Sequence, residues 1–277
     1  MEKMAQPFSG KLVLRSWNAQ ALFARDPGRQ RAKRAHCRKL MQDADILAIQ
    51  ETHSTEGSVA IARMPQDTCA WWSHESQSTG GVGIMVNRSF MERFPGTDQD
   101  SWQEVVPGRA AILRLGGPSG SLDVAVLYMH TGATGEARQQ RDKVKVALLK
   151  ALRPQLKVLT VIVGDWNFTK EDMDRVNLEV GHWSKSKDSA EHADWEDEVF
   201  APNGLQEAWQ GDMTHRTTLG TAKLDRAYIN VHVAEQRYTS WATAALQWSP
   251  VLSTHRPNEL ARRMPESEDE RKKSISM

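Results

Sequence analysis

Gly164-Asp165-Trp166-Asn167 follows the apolar run Val158 to Val163 and breaks it abruptly with polar residues. The run is short, apolar and rich in β-branched residues, which reads as a buried strand. A carboxylate and an amide therefore stand two residues apart where strand gives way to loop. Loops at strand ends are held by the sheet beneath yet stay open to a ligand, and α/β proteins place chemistry there. Side chains two positions apart can also point the same way. Taken alone, the four residues read equally well as an Asp-X-Asn turn that closes the strand.

The pattern recurs outward from that point. Leu12 to Trp17 is a short apolar segment ending in Asn18, and Ile46 to Ile49 ends in Gln50-Glu51-Thr52-His53. Leu122 to Leu127 leads into Tyr128, Met129 and His130, and Lys223 to Ile229 carries Asp225 inside an alternating pattern. Ser253-Thr254-His255-Arg256-Pro257 closes the series. Further strands are expected at Gly81–Val86 and Ala110–Leu115. Arg29 to Met41 and Arg138 to Leu152 have helical spacing, the second with Val144, Ala147, Leu148, Ala151 and Leu152 on one face before Pro154. Several middle strands follow one another without a helix between them, so the sheets should be mixed rather than strictly parallel.

The 277 residues, 39% of them hydrophobic, suffice for one substantial α/β domain. The domain is expected over residues 1–257, with 258–277 a charged, disordered tail, since Glu266 to Lys273 has little to bury. Net charge is +1, so no general affinity for polyanions is implied. Two cysteines exclude a disulfide framework and there is no zinc-finger spacing. With no apolar leader in Met1 to Gly10 and no membrane-length apolar stretch, the chain is expected to be soluble and intracellular, away from membranes.

In their order along the chain, Trp17-Asn18, Gln50-Glu51-Thr52, Gly164-Asp165-Trp166-Asn167, Leu224 to Ile229 and Ser253 to Pro257 resemble the endonuclease/exonuclease/phosphatase superfamily. The likeness runs from about Leu12 to Pro257. The Gln-Glu-Thr-His wording, Gly80-Gly81-Val82-Gly83-Ile84 and the basic stretch after Asn18 are most similar to the apurinic/apyrimidinic-type endonuclease domains of non-long-terminal-repeat retroelements. The resemblance implies an α/β (α+β) fold of two packed mixed β-sheets flanked by helices, a four-layered sandwich. It also implies a metal-dependent phosphodiesterase using Mg²⁺, with Mn²⁺ as the alternative.

Carried over position by position, the resemblance implies Glu51 as metal ligand, assisted by Asn18. Asp165 would orient or deprotonate the attacking water, and Asn167 would hydrogen-bond the scissile phosphate. His255, paired with Asp225, would donate to that phosphate. At the exit of the Leu122 strand, His130 is preferred as a phosphate contact and Tyr128 is second. Two departures subtract charge from the metal site: Thr254 stands where the family commonly has Asp, and Gln20 where the endonucleases tend to have an acid.

Arg25, Arg29, Arg31, Lys33, Arg34, Arg38 and Lys39 are opposed only by Asp26. Arg29, Arg31, Lys33 and Arg34 on the expected helix could track a phosphate backbone, or simply form a solvated face. Of the 10 tryptophans, Trp183, Trp195 and Trp248 are candidates for stacking on an extruded base, each more readily explained as packing. Three functions follow: a Mg²⁺-dependent DNA-nicking endonuclease whose partners are DNA and a reverse transcriptase of the same element, with a nuclear location; a weakened or inactive domain binding nucleic acid or protein; and a small-molecule phosphatase.

Overall fold

The computed structural model describes residues 6–262 apart from 24, 63, 133, 184–187 and 239–240. In chain order the first strands are β1 (Leu12–Asn18), β2 (Ile46–Gln50), β3 (Thr68–Ser73) and β4 (Val82–Asn87). Then come β5 (Trp102–Val106), β6 (Ala110–Gly117), β7 (Gly120–Tyr128) and β8 (Leu159–Asp165). Shorter strands follow as β9 (Arg175–Asn177), β10 (His182–Trp183), β11 (Gln206–Glu207), β12 (His215–Arg216) and β13 (Gly220–Ala222). The last are β14 (Asp225–Ile229), β15 (Trp241–Ala245) and β16 (Asn258–Arg262).

Two six-stranded sheets form, in the orders β15-β16-β1-β2-β4-β3 and β11-β14-β8-β7-β6-β5. Each contains one parallel pair, β1 with β2 and β7 with β8, in an otherwise antiparallel sheet. A parallel pair needs a long crossover, and the two long helices supply it. Pro27–Met41 links β1 to β2, and Gly135–Ala151 links β7 to β8. Their starts are coded locally: Asp26 Oδ1 accepts from Arg29 N at 2.6 Å with Pro27 in the first turn, and Thr134 Oγ1 accepts from Ala137 N at 3.2 Å.

Period-two alternation sends Leu14, Ile46, Ile84, Val124, Val126, Val161 and Val163 into one core between the sheets. The outer face of the second sheet packs Val144 and Leu148 of its helix with Ile162, Trp166, Trp195, Phe200 and Tyr228. Trp17, Cys37, Leu40, Leu47 and Met85 form the corresponding layer under Pro27–Met41. The result is helix, sheet, sheet, helix, the four-layered arrangement expected. No helix among the described residues is long and apolar enough to cross a membrane.

The expected tail boundary is corrected at its start. Residues 258–262 are not free but form β16, inserted between β15 and β1. Only Leu260 and Ala261 are buried there, which is why a sequence reading finds no strand. The charge of Glu259 is met by its register partner Arg15, Nε to Oε2 at 2.9 Å. Residues 263–277 lie outside the described residues.

Candidate active site

Parallel strands deliver their carboxyl ends to the same edge, and the two parallel pairs of this fold bring four chain exits together. From the first sheet come Asn18 at the end of β1 and Glu51 just past β2; from the second come Tyr128 and Asp165, register partners at the ends of β7 and β8. Asp225 opens β14 directly opposite Asp165. Gly164 is required at this edge because a Cβ there would lie 2.0 Å from the Leu127 carbonyl oxygen of the adjacent strand.

The loop after β1 lies along the loop after β2. Ala19 N donates to Gln50 O at 2.9 Å, Ala21 N to Glu51 O at 2.7 Å and Phe23 N to Thr52 O at 2.9 Å. Glu51 and His53 sit at positive φ, 49° and 50°, which costs L-residues about 1–3 kcal/mol each and persists only where the surroundings enforce it. Here Thr52 N donates to Gly81 O and His53 N to Gly80 O, both at 3.0 Å. A Cβ on Gly81 would lie 2.2 Å from Thr52 Oγ1, so the Gly80-Gly81 pair lets β4 approach the Glu51 loop.

Glu51, Asp165 and His255 each present one polar atom within 4.8 Å of the others. Asn18 Nδ2 donates to Glu51 Oε1 and to Asp165 Oδ2, both at 2.8 Å. Its Oδ1 accepts from Gln20 N at 3.0 Å, which fixes the orientation of the amide. Asn18 therefore organises the two carboxylates through its amide hydrogens. His255 is buried; its Nδ1 lies 2.9 Å from Asp225 Oδ2 and its Nε2 3.7 Å from Asp165 Oδ2. Asn167 N donates to Asp165 Oδ1 at 3.0 Å and Asn167 Nδ2 to Met129 O at 2.8 Å, leaving one amide hydrogen for a ligand.

Burial, then the Asp225 charge, raises the pKa of Asp165 against the opposing pull of His255 and its hydrogen bonds. Burial would lower that of His255, but Asp225 and Asp165 outweigh it and lift the imidazolium to about 9. His215, with its ring 4.6 Å from that of His255, is lowered to about 4 by burial and by the neighbouring imidazolium. Burial, with Glu51 and Asp165 adding to it, raises Tyr128. The edge thus offers a carboxylate with enhanced proton affinity, a protonated imidazole and a neutral phenol. The hard oxygens of Glu51 and Asp165, with Glu51 partly exposed, suit a divalent cation that keeps several waters. A protonated His255 is a donor rather than a ligand.

The structure brings together Asn18, Glu51, Tyr128, Asp165, Asn167, Asp225 and His255. His130, ranked ahead of Tyr128, instead lines a lateral pocket of about 440 Å³ with Glu75, Arg109 and Glu136. The strand ends at Tyr128, so the alternation that would keep both side chains on one face stops there. Lys33 is also corrected: it is fully buried and its ammonium donates to Ala19 O and Gln20 O, so it cannot reach a phosphate backbone. Arg29 and Arg31 are exposed and Arg34 is half-buried. Trp195 is 1% exposed and cannot stack on an external base, Trp248 is half-buried with Arg216 over its ring, and the Trp183 side chain lies outside the described residues.

Arg109 is a residue that sequence reasoning passed over. Its guanidinium lies 4.8 Å from the Tyr128 ring centroid and 2.8 Å from Glu75 Oε2. The available signal was a cation in Pro107-Gly108-Arg109, at the turn just before the apolar start of β6.

Comparison with known proteins agrees with this fold. The model of the endonuclease/exonuclease/phosphatase family matches residues 16–245. An AP endonuclease from Leishmania major is similar over 94% of this chain and 93% of its own, with TM-score 0.70 and 13% identity. A 3'-5' exonuclease from Neisseria meningitidis gives TM-score 0.61 at 14% identity, covering 92% of this chain and 100% of its own. The endonuclease domain of TRAS1, a telomere-specific non-LTR retrotransposon, gives 0.56 at 12% identity, covering 93% and 100%. No curated protein sequence matches.

Proposed function

Because the chain belongs to the endonuclease/exonuclease/phosphatase family, whose members are metal-dependent hydrolases of phosphodiester bonds, we propose that it is a Mg²⁺-dependent endonuclease that nicks DNA. The observation that carries this reading is the convergence of Glu51, Asp165 and His255 within 4.8 Å, from both sheets, with Asp225 behind His255. A divalent cation at Glu51 would screen the phosphate charge and lower the pKa of a bound water.

The chain's own groups do the rest. Asp165, which Asn18 and the Asn167 N–H hold in place, accepts a proton from the attacking water. The remaining amide hydrogen of Asn167 and the Nε2–H of His255 donate to phosphate oxygens as negative charge builds there. Asp225 fixes the His255 tautomer and favours the imidazolium. The Tyr128 ring lies under the Arg109 guanidinium, and its hydroxyl hydrogen is directed at Glu51, which it helps hold at the same edge.

The retroelement assignment draws support from the Gln-Glu-Thr-His and Gly-Gly-Val-Gly-Ile wording and from the likeness to the TRAS1 domain. On that reading the chain works on nuclear DNA alongside a reverse transcriptase of the same element. Exposed Arg29 and Arg31 would then meet the phosphate backbone. A second reading, a domain that binds nucleic acid or protein without cutting, draws on the neutral Gln20 and Thr254. The test is cleavage of supercoiled plasmid, abasic duplex and a generic phosphomonoester side by side. Mg²⁺-dependent nicking of plasmid supports the endonuclease; turnover of the phosphomonoester alone, or of no substrate, refutes it.

A further inference from the structure

Gln20 and Thr254, the two positions at which the resemblance implies acids, contact each other. Gln20 Nε2 donates to Thr254 Oγ1 at 2.7 Å and Thr254 N donates to Gln20 Oε1 at 2.8 Å, so both ends of the amide are used. The same two loops are joined once more by buried Ser253, whose Oγ donates to Asn18 O at 2.7 Å and accepts from His255 N at 3.0 Å. Gln20 N also donates to Asn18 Oδ1, the bond that turns the amide hydrogens of Asn18 towards both carboxylates. Gln20 and Ala21 hold positive φ, 44° and 72°. The carbonyls of Ala19 and Gln20 are gathered by the ammonium of fully buried Lys33.

We propose that Gln20, Thr254 and Lys33 form a built-in clasp that holds the Asn18 loop against the His255 loop with the chain's own hydrogen bonds and no bridging metal, leaving a single divalent-cation position at Glu51. The proposal rests on reading the site as a hydrolase, but its own content is structural. Two acids at positions 20 and 254 would repel each other and need a cation between them. A glutamine and a threonine attract each other without one. The chain's own cation, Lys33, already occupies the carbonyls of this turn and disfavours a second ion beside it. Gln20, Thr254 and Lys33 are thus positioning residues: they act on substrate through Asn18 and His255.

Hydrogen exchange of the Thr254 amide, read by NMR in chelator and again in Mg²⁺, tests the clasp without reference to activity. Protection in chelator that Mg²⁺ leaves unchanged is expected; protection that appears only with Mg²⁺ overturns the proposal. Gln20→Leu removes both bonds, whereas Gln20→Glu keeps them if the Thr254 hydroxyl turns to donate. Gln20→Leu should lower the protection about tenfold and lower kcat for nicking with KM for DNA held, and Gln20→Glu should keep most of both. Equal behaviour of Gln20→Leu and wild type overturns the proposal. Mn²⁺ titration followed by electron paramagnetic resonance should give one bound ion per chain, and two would contradict it. If wild type nicks nothing, the endonuclease reading falls while the exchange and binding results still decide the clasp.

Discussion

Asp225→Asn isolates the electrostatic core of the site. The amide is isosteric and its oxygen can still accept from His255 Nδ1, so geometry is kept while the charge is lost. In the wild type His255 is lifted from 6.5 to about 9, against the effect of its own burial, by Asp225 first and Asp165 second. That net rise corresponds to about 3 kcal/mol of preference for the imidazolium, a floor on what the two carboxylates supply together because they also offset burial. Because the folded-state value is raised, this stabilisation is fully present below the unfolded value near 6.5 and is lost as pH rises through about 9. If the variant returns to about 6.5, roughly a tenth of His255 is protonated at pH 7.5, against nearly all in the wild type. Nicking should then fall about tenfold or more at pH 7.5 and converge on wild type near pH 5.5, with the alkaline limb displaced from about 9 to below 7. The assay is a pH profile of Mg²⁺-dependent nicking beside an NMR titration of the His255 ring. Superimposable profiles, or a variant ring still titrating near 9, would refute the reasoning.

The remaining predictions address packing and DNA contact. Trp166 is fully buried among Phe168, Trp195, Phe200 and Tyr228, with ring centroids 4.9 to 5.7 Å away. Trp166→Ala should cost about 3–5 kcal/mol in denaturant unfolding, and a cost near zero would contradict its place in the core. Arg31→Ala should reduce the slope of log affinity for duplex DNA against log salt by about one, whereas Lys33→Met should leave the slope unchanged and lower stability instead. A slope altered by Lys33→Met and not by Arg31→Ala would reverse the assignment made from burial.

Strands β1, β2, β4, β6, β7, β8 and β14 were legible because they are apolar and bounded by polar exits, and the crossover helices because they carry helical spacing; β3, β5, β11 and β15, mostly half-buried, were not read. Asp225, which opens β14, and His255, which precedes β16, were singled out by the resemblance, whereas Asn18, Glu51 and Asp165 were legible as strand exits. Orientation was not. That Lys33 turns inward depends on two carbonyls made available by the positive φ of the Asn18 loop, and nothing in a run of basic residues marks one member as buried. The order of Tyr128 and His130 depended on where β7 stops. β16 escaped notice because a strand flanked on both sides needs few apolar residues when its charged residue has a partner in Arg15. The Gln20–Thr254 contact joins residues 234 apart, and each looked like a loss of charge until they were seen together.

On the proposed reading Asp165, with a cation held at Glu51, activates water against a DNA phosphodiester. Nicking of supercoiled plasmid by wild type and by Asp165→Asn, each in Mg²⁺ and in excess chelator, tests it most directly. Wild type should nick in Mg²⁺ alone, with Asp165→Asn reduced by at least about a hundredfold. Equal nicking by the variant, or nicking that persists in chelator, would contradict it.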